Sequence, residues 1–184
     1  MVLTKTPICN FGEKTKSFEL KGIDGHLHKL EDHIGKNGLL IMFICNHCPY
    51  VKAIIRDIVE DCKNLKKEGV NSIAIMSNDT KEYPEDSFEN MKIFSKKFNF
   101  TFPYLIDETQ EIAKEYGAVC TPDFFGYNSK LELQYRGRSR GLKDLKPINS
   151  GESDLSKAMH LIIKTGKGPK EQIPSMGCNI KWAK

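Results

Sequence analysis

The sequence lacks any apolar stretch long enough to cross a membrane. A transmembrane helix needs about 20 consecutive apolar residues, whereas the longest apolar run, residues 39–45, gives way to the polar pair Asn46-His47. The first residues also lack the apolar segment of an export signal. The sequence therefore predicts neither membrane insertion nor export, and we expect a cytoplasmic protein.

A strong charge of either sign is also missing. The formal net charge is +4 over 184 residues, and basic residues are concentrated only at Arg136, Arg138 and Arg140. A groove that follows a phosphate backbone needs a broader basic surface, so we expect no nucleic-acid partner. Repeats are absent, and the length fits a single domain over 1–184, with an N-terminal lead over 1–10 and a C-terminal tail over 167–184.

Six cysteines are present, but a second closely spaced pair is missing. Cys45 and Cys48 are separated by two residues, while Cys120 and Cys178 each stand alone. Structural zinc sites usually combine two such pairs, so we expect no bound metal, and no other cofactor is indicated. Without an export signal, the cysteines are expected to be thiols rather than a disulfide framework.

What is present is a strand, a dithiol and a helix in immediate succession. Residues 39–44 form an apolar run of strand length, and from Val51 apolar residues recur at steps of three and four until Gly69. The free amide groups and the dipole at a helix N-terminus lower the pKa of a thiol placed there. We expect Cys45 at the cap position of this helix and Cys48 one turn behind it, which predicts redox chemistry.

The other segments predict an α/β fold. Apolar patterns and turn signals indicate a hairpin within 8–35, strands at 70–76 and 103–106, and a hairpin over 118–136. A helix capped by Asp86-Ser87, a short helix after 107–110, a flexible loop over 137–152 and a last helix that ends at Gly166 are also expected. A strand, a long helix and a second strand form a right-handed parallel crossover. The element order therefore predicts a central mixed β-sheet with helices on both faces.

Four motifs carry a resemblance to a known superfamily. They are residues 43–51 (FICNHCPYV), 120–124 (CTPDF), 135–138 (YRGR) and 177–182 (GCNIKW). With these motifs the chain resembles the thioredoxin-like superfamily, in the redoxin and peroxiredoxin-like branch that is related to the alkyl hydroperoxide reductase and thiol-specific antioxidant group. The resemblance covers the chain from about residue 11 onward and implies a thioredoxin-like fold.

The resemblance also implies a thiol–disulfide oxidoreductase. Cys45 would attack a target disulfide and Cys48 would resolve the mixed disulfide, while Asn46 and His47 between them would tune the redox potential. A protonated His47 would stabilise the reduced form; the alternative is a surface imidazole without effect. The implied partners are a protein or small-molecule disulfide and a thiol reductant such as a thioredoxin system, and the oligomeric state is left open.

The same resemblance places the Thr121-Pro122 segment beside the dithiol. Thr121 precedes the proline that this fold keeps in cis against the two thiols, and Pro122 would present backbone groups to an extended substrate. Cys120 would then lie near the dithiol, as an auxiliary redox thiol or as a small buried apolar residue. The acid that related proteins place near the second cysteine is missing here, so the sequence shows no proton acceptor for Cys48.

Two other functions stay open. A thiol peroxidase would use Cys48 as the peroxidatic cysteine, with Arg136 or Arg138 polarising the peroxide. Cys45 and Ile41 then replace the threonine and the proline of the peroxidase pattern, although a low-pKa thiolate reacts with both kinds of oxidant. The third possibility is a non-catalytic module that uses the substrate groove for binding alone.

Overall fold

The computed structural model describes residues 2–184. Its strands, in chain order, are β1 (Leu3–Lys5), β2 (Glu19–Gly22), β3 (Leu27–Lys29), β4 (Gly38–Phe43), β5 (Val70–Met76), β6 (Tyr104–Ile106), β7 (Cys120–Thr121), β8 (Asp123–Tyr127), β9 (Leu133–Tyr135), β10 (Leu142–Lys143), β11 (Lys146–Pro147) and β12 (Met176–Asn179). Its α-helices are α1 (Pro49–Lys67), α2 (Phe88–Phe98), α3 (Glu111–Glu115) and α4 (Asp154–Thr165).

Seven strands form the central sheet, in the order β3-β2-β6-β5-β4-β8-β9. The three strands β4, β5 and β6 run parallel, with α1 and α2 in the connections between them. The outer strands pair antiparallel with their neighbours, and both predicted hairpins are present as β2–β3 and β8–β9. The mixed sheet that the element order predicts is confirmed.

Strand β4, which lies inside the sheet between β5 and β8, is covered on both faces. Leu40 and Met42 pack in the core that includes α1, α2 and α4, whereas Leu39, Ile41 and Phe43 point into the opposite core, which includes α3. A strand that is buried on both faces reads as a continuous apolar run rather than as an alternation. This explains the sequence of the strand and confirms that helices cover both faces of the sheet.

Helix α1 fixes the position of the dithiol. It begins at Pro49, where the missing N–H is least costly, and Gly69 just beyond its end takes a left-handed conformation with φ +82° that favours glycine. Its buried face consists of Val51, Ile54, Ile55, Ile58, Cys62 and Leu65. Each aliphatic side chain of this kind contributes about 1.5–3 kcal/mol when buried, so the N-terminus of α1 is held firmly at the edge of the sheet.

Both ends of the described chain contain a strand that the sequence pattern did not predict. In the lead over 1–10, β1 pairs antiparallel with β12, which belongs to the tail over 167–184, and β12 also pairs with β7. These three strands form a separate small sheet. Strands of two to four residues that include polar residues and glycine are too short to show an alternation of apolar and polar residues. For this reason the sequence did not predict β1 and β12.

The segment 137–152, predicted as a flexible loop, is tied to the rest of the fold. It contains the short antiparallel pair of β10 and β11. Arg140 forms an ion pair with Asp57 of α1 at 2.9 Å, and its guanidinium group also donates to the carbonyl oxygen of Gly151 at 2.8 Å. The connection between β9 and α4 is therefore anchored on α1.

Candidate active site around the Cys45–Cys48 dithiol

The two cysteines lie where the chain passes from β4 to α1. Cys45 comes two residues after the end of β4, and Cys48 is the N-cap residue of α1. The cap position that the sequence analysis gave to Cys45 is therefore occupied by Cys48, because the helix begins at Pro49 rather than at the first cysteine. Both cysteine residues are completely buried.

The segment before Pro122 lies against both sulfur atoms. The Thr121–Pro122 peptide bond is cis, as the resemblance implied. The Sγ atom of Cys45 lies 3.3 Å from the Thr121 hydroxyl oxygen, and the Sγ atom of Cys48 lies 3.2 Å from the Thr121 carbonyl oxygen. The structure thus brings together the dithiol and the Thr121-Pro122 segment that the sequence pointed to.

The pKa values of the two thiols move in opposite directions. The hydrogen bond from the Cys45 thiol is the largest cause that lowers the pKa of Cys48, from 9.0 to about 5. The Cys178 thiol and the backbone N–H of Val51 add to this effect and help to outweigh burial. Burial is the main cause that raises the pKa of Cys45 well above its usual range. The pair therefore favours a negative charge on Cys48 over one on Cys45.

The two residues between the cysteines are held by Asp86, which precedes α2. The backbone N–H groups of Asn46 and His47 donate to Asp86 Oδ1 at 2.8 and 3.2 Å. The Nδ1 atom of His47 lies 2.6 Å from Asp86 Oδ2, which also accepts a hydrogen bond from the Asn78 side chain at 2.8 Å. The His47 ring stacks on Tyr83 with centroids 5.7 Å apart. The loop after β5 therefore fixes the conformation of the dithiol motif.

His47 and Asp86 form an ion pair next to Cys45. The hydrogen bond to Asp86 is the main cause that raises the pKa of His47. Burial acts to raise the pKa of Asp86, but hydrogen bonds from His47 and Asn78 outweigh it and hold that pKa below its usual range. The His47 side chain is 17% exposed, and its Nδ1 lies 3.9 Å from Cys45 Sγ. His47 is thus anchored by Asp86 beside the Cys45 thiol, and its effect on the redox potential stays a prediction.

Asn46 points into the protein and is fully engaged by hydrogen bonds. Its side-chain oxygen accepts from the Tyr104 hydroxyl at 2.9 Å, and its side-chain amide donates to the carbonyl oxygen of Glu85 at 3.1 Å. Tyr104 is itself completely buried. Asn46 therefore links the dithiol motif to β6 and to the loop before α2.

Asp86 and Tyr104 are the residues at this site that sequence reasoning missed. Asp86 was expected to cap α2 together with Ser87, but Ser87 alone caps it, by accepting from the backbone N–H of Asn90. A usable signal did exist for Asp86. The carboxyl ends of adjacent parallel strands meet at one edge of a sheet, so a polar residue in the loop after β5 lies close to the dithiol after β4.

Cys120 and Cys178 lie on paired strands, and the Cys178 thiol contacts the dithiol directly. Cys178 Sγ lies 3.1 Å from Cys48 Sγ. Cys120 is completely buried, its Sγ lies 3.8 Å from the carbonyl oxygen of Pro122, and burial raises the pKa of its thiol. An auxiliary redox role for Cys120 stays a prediction.

Three donor atoms at the site could hold a metal ion. Cys45, His47 and Asp86 each offer one, and these atoms lie within 4.8 Å of one another. Thiolate, imidazole and carboxylate are all ligands that zinc accepts. The Asp86 oxygens already accept four hydrogen bonds, so a cation would have to replace at least the one from His47.

A cavity of about 160 Å³ lies beside Pro122. Tyr50 from the first turn of α1 and Ser175 from the segment before β12 line it, and three basic residues contribute to its walls: Lys5, Arg138 and Arg140. Ser175 donates a hydrogen bond to the Pro122 carbonyl oxygen at 2.7 Å. The cavity is thus formed where the dithiol helix, the Thr121-Pro122 segment and the C-terminal strand meet.

Comparison with known proteins agrees with this arrangement. The model of the AhpC/TSA family matches residues 11–138, which is more than half of the chain. The chain belongs to the AhpC/TSA family. Within this family it resembles an uncharacterised conserved protein of Geobacillus kaustophilus, whose crystal structure has 39% sequence identity and a TM-score of 0.87 over 100% of this chain and 97% of that one.

More distant relatives of this AhpC/TSA family member are named as oxidoreductases. The thiol-disulfide oxidoreductase ResA of Geobacillus kaustophilus is 28% identical over 123 residues, which cover 67% of this chain and 66% of that protein. The chain spans 61% to 66% of the length of the curated relatives that it matches. A secreted disulfide oxidoreductase of Mycobacterium tuberculosis shares the fold, with a TM-score of 0.57 and 16% identity over 68% of this chain and 87% of that one.

No helix within residues 2–184 is both long and apolar enough to cross a membrane.

Proposed function

We propose that this protein is a thiol–disulfide oxidoreductase whose Cys45 and Cys48 alternate between a dithiol and a disulfide. The observation that carries the proposal is the Cys48 sulfur at the N-cap of α1, with a pKa of about 5 and the Cys45 thiol hydrogen-bonded to it. A thiolate, not a thiol, attacks a disulfide. A buried pair that holds a thiolate at neutral pH is therefore suited to exchange.

Cys45 is proposed as the attacking residue and Cys48 as the resolving residue. The neighbour of Cys45 is the partly exposed His47, whereas Cys48 Sγ faces the Thr121 carbonyl oxygen and Cys178. Because a hydrogen bond joins the two sulfur atoms, transfer of the Cys45 proton to Cys48 moves the negative charge onto Cys45. The Cys48 thiolate thus accepts the proton of Cys45, and the hydrogen bond to Asp86 favours the protonated form of His47, which stabilises the charge on Cys45. The proton of Cys48, for which the sequence showed no acceptor, then passes to the thiolate that leaves the substrate in the first displacement.

The reaction consists of two successive displacements at sulfur. The Cys45 thiolate forms an S–S bond with one sulfur of the target disulfide, and the other target sulfur leaves as a thiolate that takes up a proton. Cys48, after losing its proton, then attacks Cys45 Sγ, so that the mixed disulfide breaks and the Cys45–Cys48 disulfide forms. Two electrons pass from the cysteines to the substrate, which leaves as two thiols.

The cavity beside Pro122 supports a chain-like substrate. Tyr50, Ser175 and Pro122 line it, so part of a substrate that occupies it lies beside the Thr121-Pro122 segment that contacts both thiols. A protein or small-molecule disulfide is the proposed substrate, and a thiol reductant such as a thioredoxin system is proposed to restore the dithiol. The cytoplasm is the proposed location.

The test uses a chromogenic aromatic disulfide, dithiobis(nitrobenzoate), with the reduced protein near pH 6. Wild-type protein is expected to release two equivalents of the coloured thiol rapidly, because the second cysteine resolves the first adduct. Cys48→Ser is expected to stop after one equivalent with the aromatic thiol bound to Cys45, and Cys45→Ser is expected to react far more slowly. Mass spectrometry of the trapped adduct identifies the attacking residue.

Cys62→Ser is the matched control, because Cys62 is a buried thiol on the same helix whose pKa burial raises to about 12. It should behave as wild type. If Cys45→Ser and Cys48→Ser both released two equivalents at the wild-type rate, the dithiol would not be the reactive site and the proposal would fail. A rapid single adduct on Cys48 in Cys45→Ser, with none on Cys45 in Cys48→Ser, would reverse the proposed order.

In the peroxidase alternative, Cys48 would supply the thiolate, but both candidate arginines are paired with other groups. The guanidinium group of Arg136 donates to Asp123 at 3.0 Å and to the Gly117 carbonyl oxygen at 2.7 Å, and that of Arg138 donates to Asp154 at 2.6 Å. Both candidate arginines are therefore engaged by other partners. Peroxide consumption no faster than that of free cysteine would eliminate this alternative.

A further inference from the structure

We propose that Cys178 is a third redox-active thiol of this site, which takes over the disulfide from Cys45 by forming a Cys48–Cys178 bond. The inference rests on the proposed function, because it starts from the Cys45–Cys48 disulfide. It gives a chemical role to the C-terminal strand β12, which lies outside residues 11–138 that match the family.

The sulfur atoms of Cys48 and Cys178 are already in contact. They lie 3.1 Å apart, and both residues are buried, with exposures of 0% and 2%. A disulfide bond is about 2.05 Å long, so a relative movement of about 1 Å brings the two sulfur atoms to bonding distance. Cys48 therefore has a second thiol neighbour besides Cys45.

The backbone around Cys178 allows its sulfur atom to lie in contact with Cys48. In the β7–β12 ladder Cys178 stands opposite Thr121, the residue whose carbonyl oxygen lies beside Cys48 Sγ. A Cβ atom on the preceding Gly177 would lie 2.0 Å from that carbonyl oxygen and 3.0 Å from Pro122 Cδ. Only glycine permits this approach, so the strand can lie directly against the dithiol loop.

The transfer is a single displacement that balances without any further reagent. The Cys178 sulfur attacks Cys48 Sγ of the Cys45–Cys48 disulfide, the Cys48–Cys178 bond forms, and Cys45 leaves as a thiolate. The proton of Cys178 passes to Cys45, so the number of protons, electrons and disulfide bonds stays the same. The oxidised protein is then distributed between two disulfides, and one of these forms leaves Cys45 as a thiol.

Cys120 is the competing candidate for a third thiol. It stands opposite Asn179 in the same ladder, one residue from the contact position, and its Sγ lies against the Pro122 carbonyl oxygen. The geometry therefore favours Cys178.

The test is peptide mapping of the full-length protein after oxidation with diamide and blocking of remaining thiols with N-ethylmaleimide. Trypsin releases Cys45 and Cys48 together in peptide 37–52 and Cys178 in peptide 171–181. A Cys45–Cys48 disulfide leaves these peptides separate, whereas a Cys48–Cys178 disulfide joins them.

Cys45→Ser is expected to give the joined peptide as its main oxidised product. In oxidised wild type, part of the protein is expected to carry N-ethylmaleimide on Cys45, and Cys178→Ser should lose that labelling to background.

Cys45→Ala serves as a second variant in case the serine disturbs the buried site, and circular dichroism checks the fold of each protein. Adding Cys62→Ser to Cys45→Ser is the matched control and should leave the joined peptide unchanged. Absence of the joined peptide in folded Cys45→Ser and Cys45→Ala would overturn the inference, as would joining of 37–52 to the Cys120 peptide 115–130. Failure of the proposed function looks different: the joined peptide would form, but the reduced wild type would not turn over a disulfide.

Discussion

Asp86 and Asp123 are both completely buried carboxyl groups, yet their pKa values move in opposite directions. Asp86 accepts hydrogen bonds from Asn46, His47 and Asn78, which hold its pKa below the usual range. At Asp123 burial is the largest cause, and it raises the pKa from 3.8 to about 6 even though Arg136 donates to the carboxylate at 3.0 Å. Burial is the largest cause at both groups and acts to raise both pKa values. The short hydrogen bonds from His47 and Asn78 outweigh it at Asp86, whereas the longer ones from Arg136 and Val119 do not at Asp123.

This difference assigns different tasks to the two acids. Asp86 stays ionised through the neutral range, so it is a fixed charge that orients His47 beside the dithiol. Asp123 follows Pro122 and is paired with Arg136, whose guanidinium group also lies 4.5 Å from the centre of the Phe125 ring. The Asp123–Arg136 pair therefore holds the β8–β9 hairpin in place, while the Asp86–His47 pair holds the loop between the two cysteines.

The largest expected effect is a loss of stability, and it tests whether the Asp123–Arg136 pair has a structural role. Arg136→Met leaves the Asp123 carboxyl group buried without its partner, which is expected to lower the free energy of unfolding by about 3–5 kcal/mol. Arg138→Met is the matched control, because its pair with Asp154 is partly exposed and such pairs contribute about 0–1 kcal/mol. Urea unfolding at pH 7 measures both. Equal losses in the two variants would mean that the buried pair has no special structural role.

The next effect is a pH dependence of stability that has opposite signs at the two acids. Because the folded pKa of Asp123 is raised from 3.8 to about 6, its contribution to the free energy of unfolding falls as the pH rises between these values, by about 3 kcal/mol in total. Asp86 has a lowered pKa, so its contribution is present at neutral pH and is lost as the pH falls.

Urea unfolding of wild type, Asp123→Asn and Asp86→Asn from about pH 3 to pH 7 measures these contributions. Relative to wild type, Asp123→Asn should gain stability as the pH rises from 3.8 to about 6, whereas Asp86→Asn should lose stability relative to wild type as the pH rises towards 3.8 and stay level above that. Parallel pH profiles for the two variants would contradict the difference between the acids.

The smallest expected effect concerns the chemistry. Asp86→Asn removes the charge that holds His47, so the pKa of His47 should fall towards its ordinary value and exchange with the aromatic disulfide should slow roughly ten- to hundredfold through loss of positioning. NMR titration of the imidazole measures the first change and single-turnover kinetics the second. Glu82→Gln, an exposed acid in the same loop, is the control. An unchanged His47 titration would show that Asp86 does not act through the imidazole.

The sequence was sufficient for the parts of the fold with a long repeating pattern. The run 39–44, the helical spacing from Val51 and the Gly69 stop predict β4 and the body and end of α1, because a strand covered on both faces and an amphipathic helix each leave a clear pattern. The Thr121-Pro122 segment was placed correctly by its resemblance to a known fold.

The rest of the site depends on contacts between distant residues. Asp86 looked like a helix cap because its partners, Asn46 and His47, lie on another loop and no local pattern joins them. Cys178 looked like part of a tail because β12 is recognisable only through its pairing with β1 and β7. The sequence predicted Cys45 as the N-cap of α1, whereas the structure has Cys48 there, because the helix starts at Pro49. Helix propensity alone does not resolve a difference of three residues.

The close approach of Gly177 to Thr121 has a consequence for the newly made chain. Synthesis runs from the N-terminus, so β4, α1 and the Pro122 segment leave the ribosome and can fold before β12 has been made. During that interval the dithiol lacks the strand that covers Cys48. An oxidant that meets the growing chain at this stage cannot produce the Cys48–Cys178 disulfide, and the choice between the two proposed disulfides arises after β12 has docked.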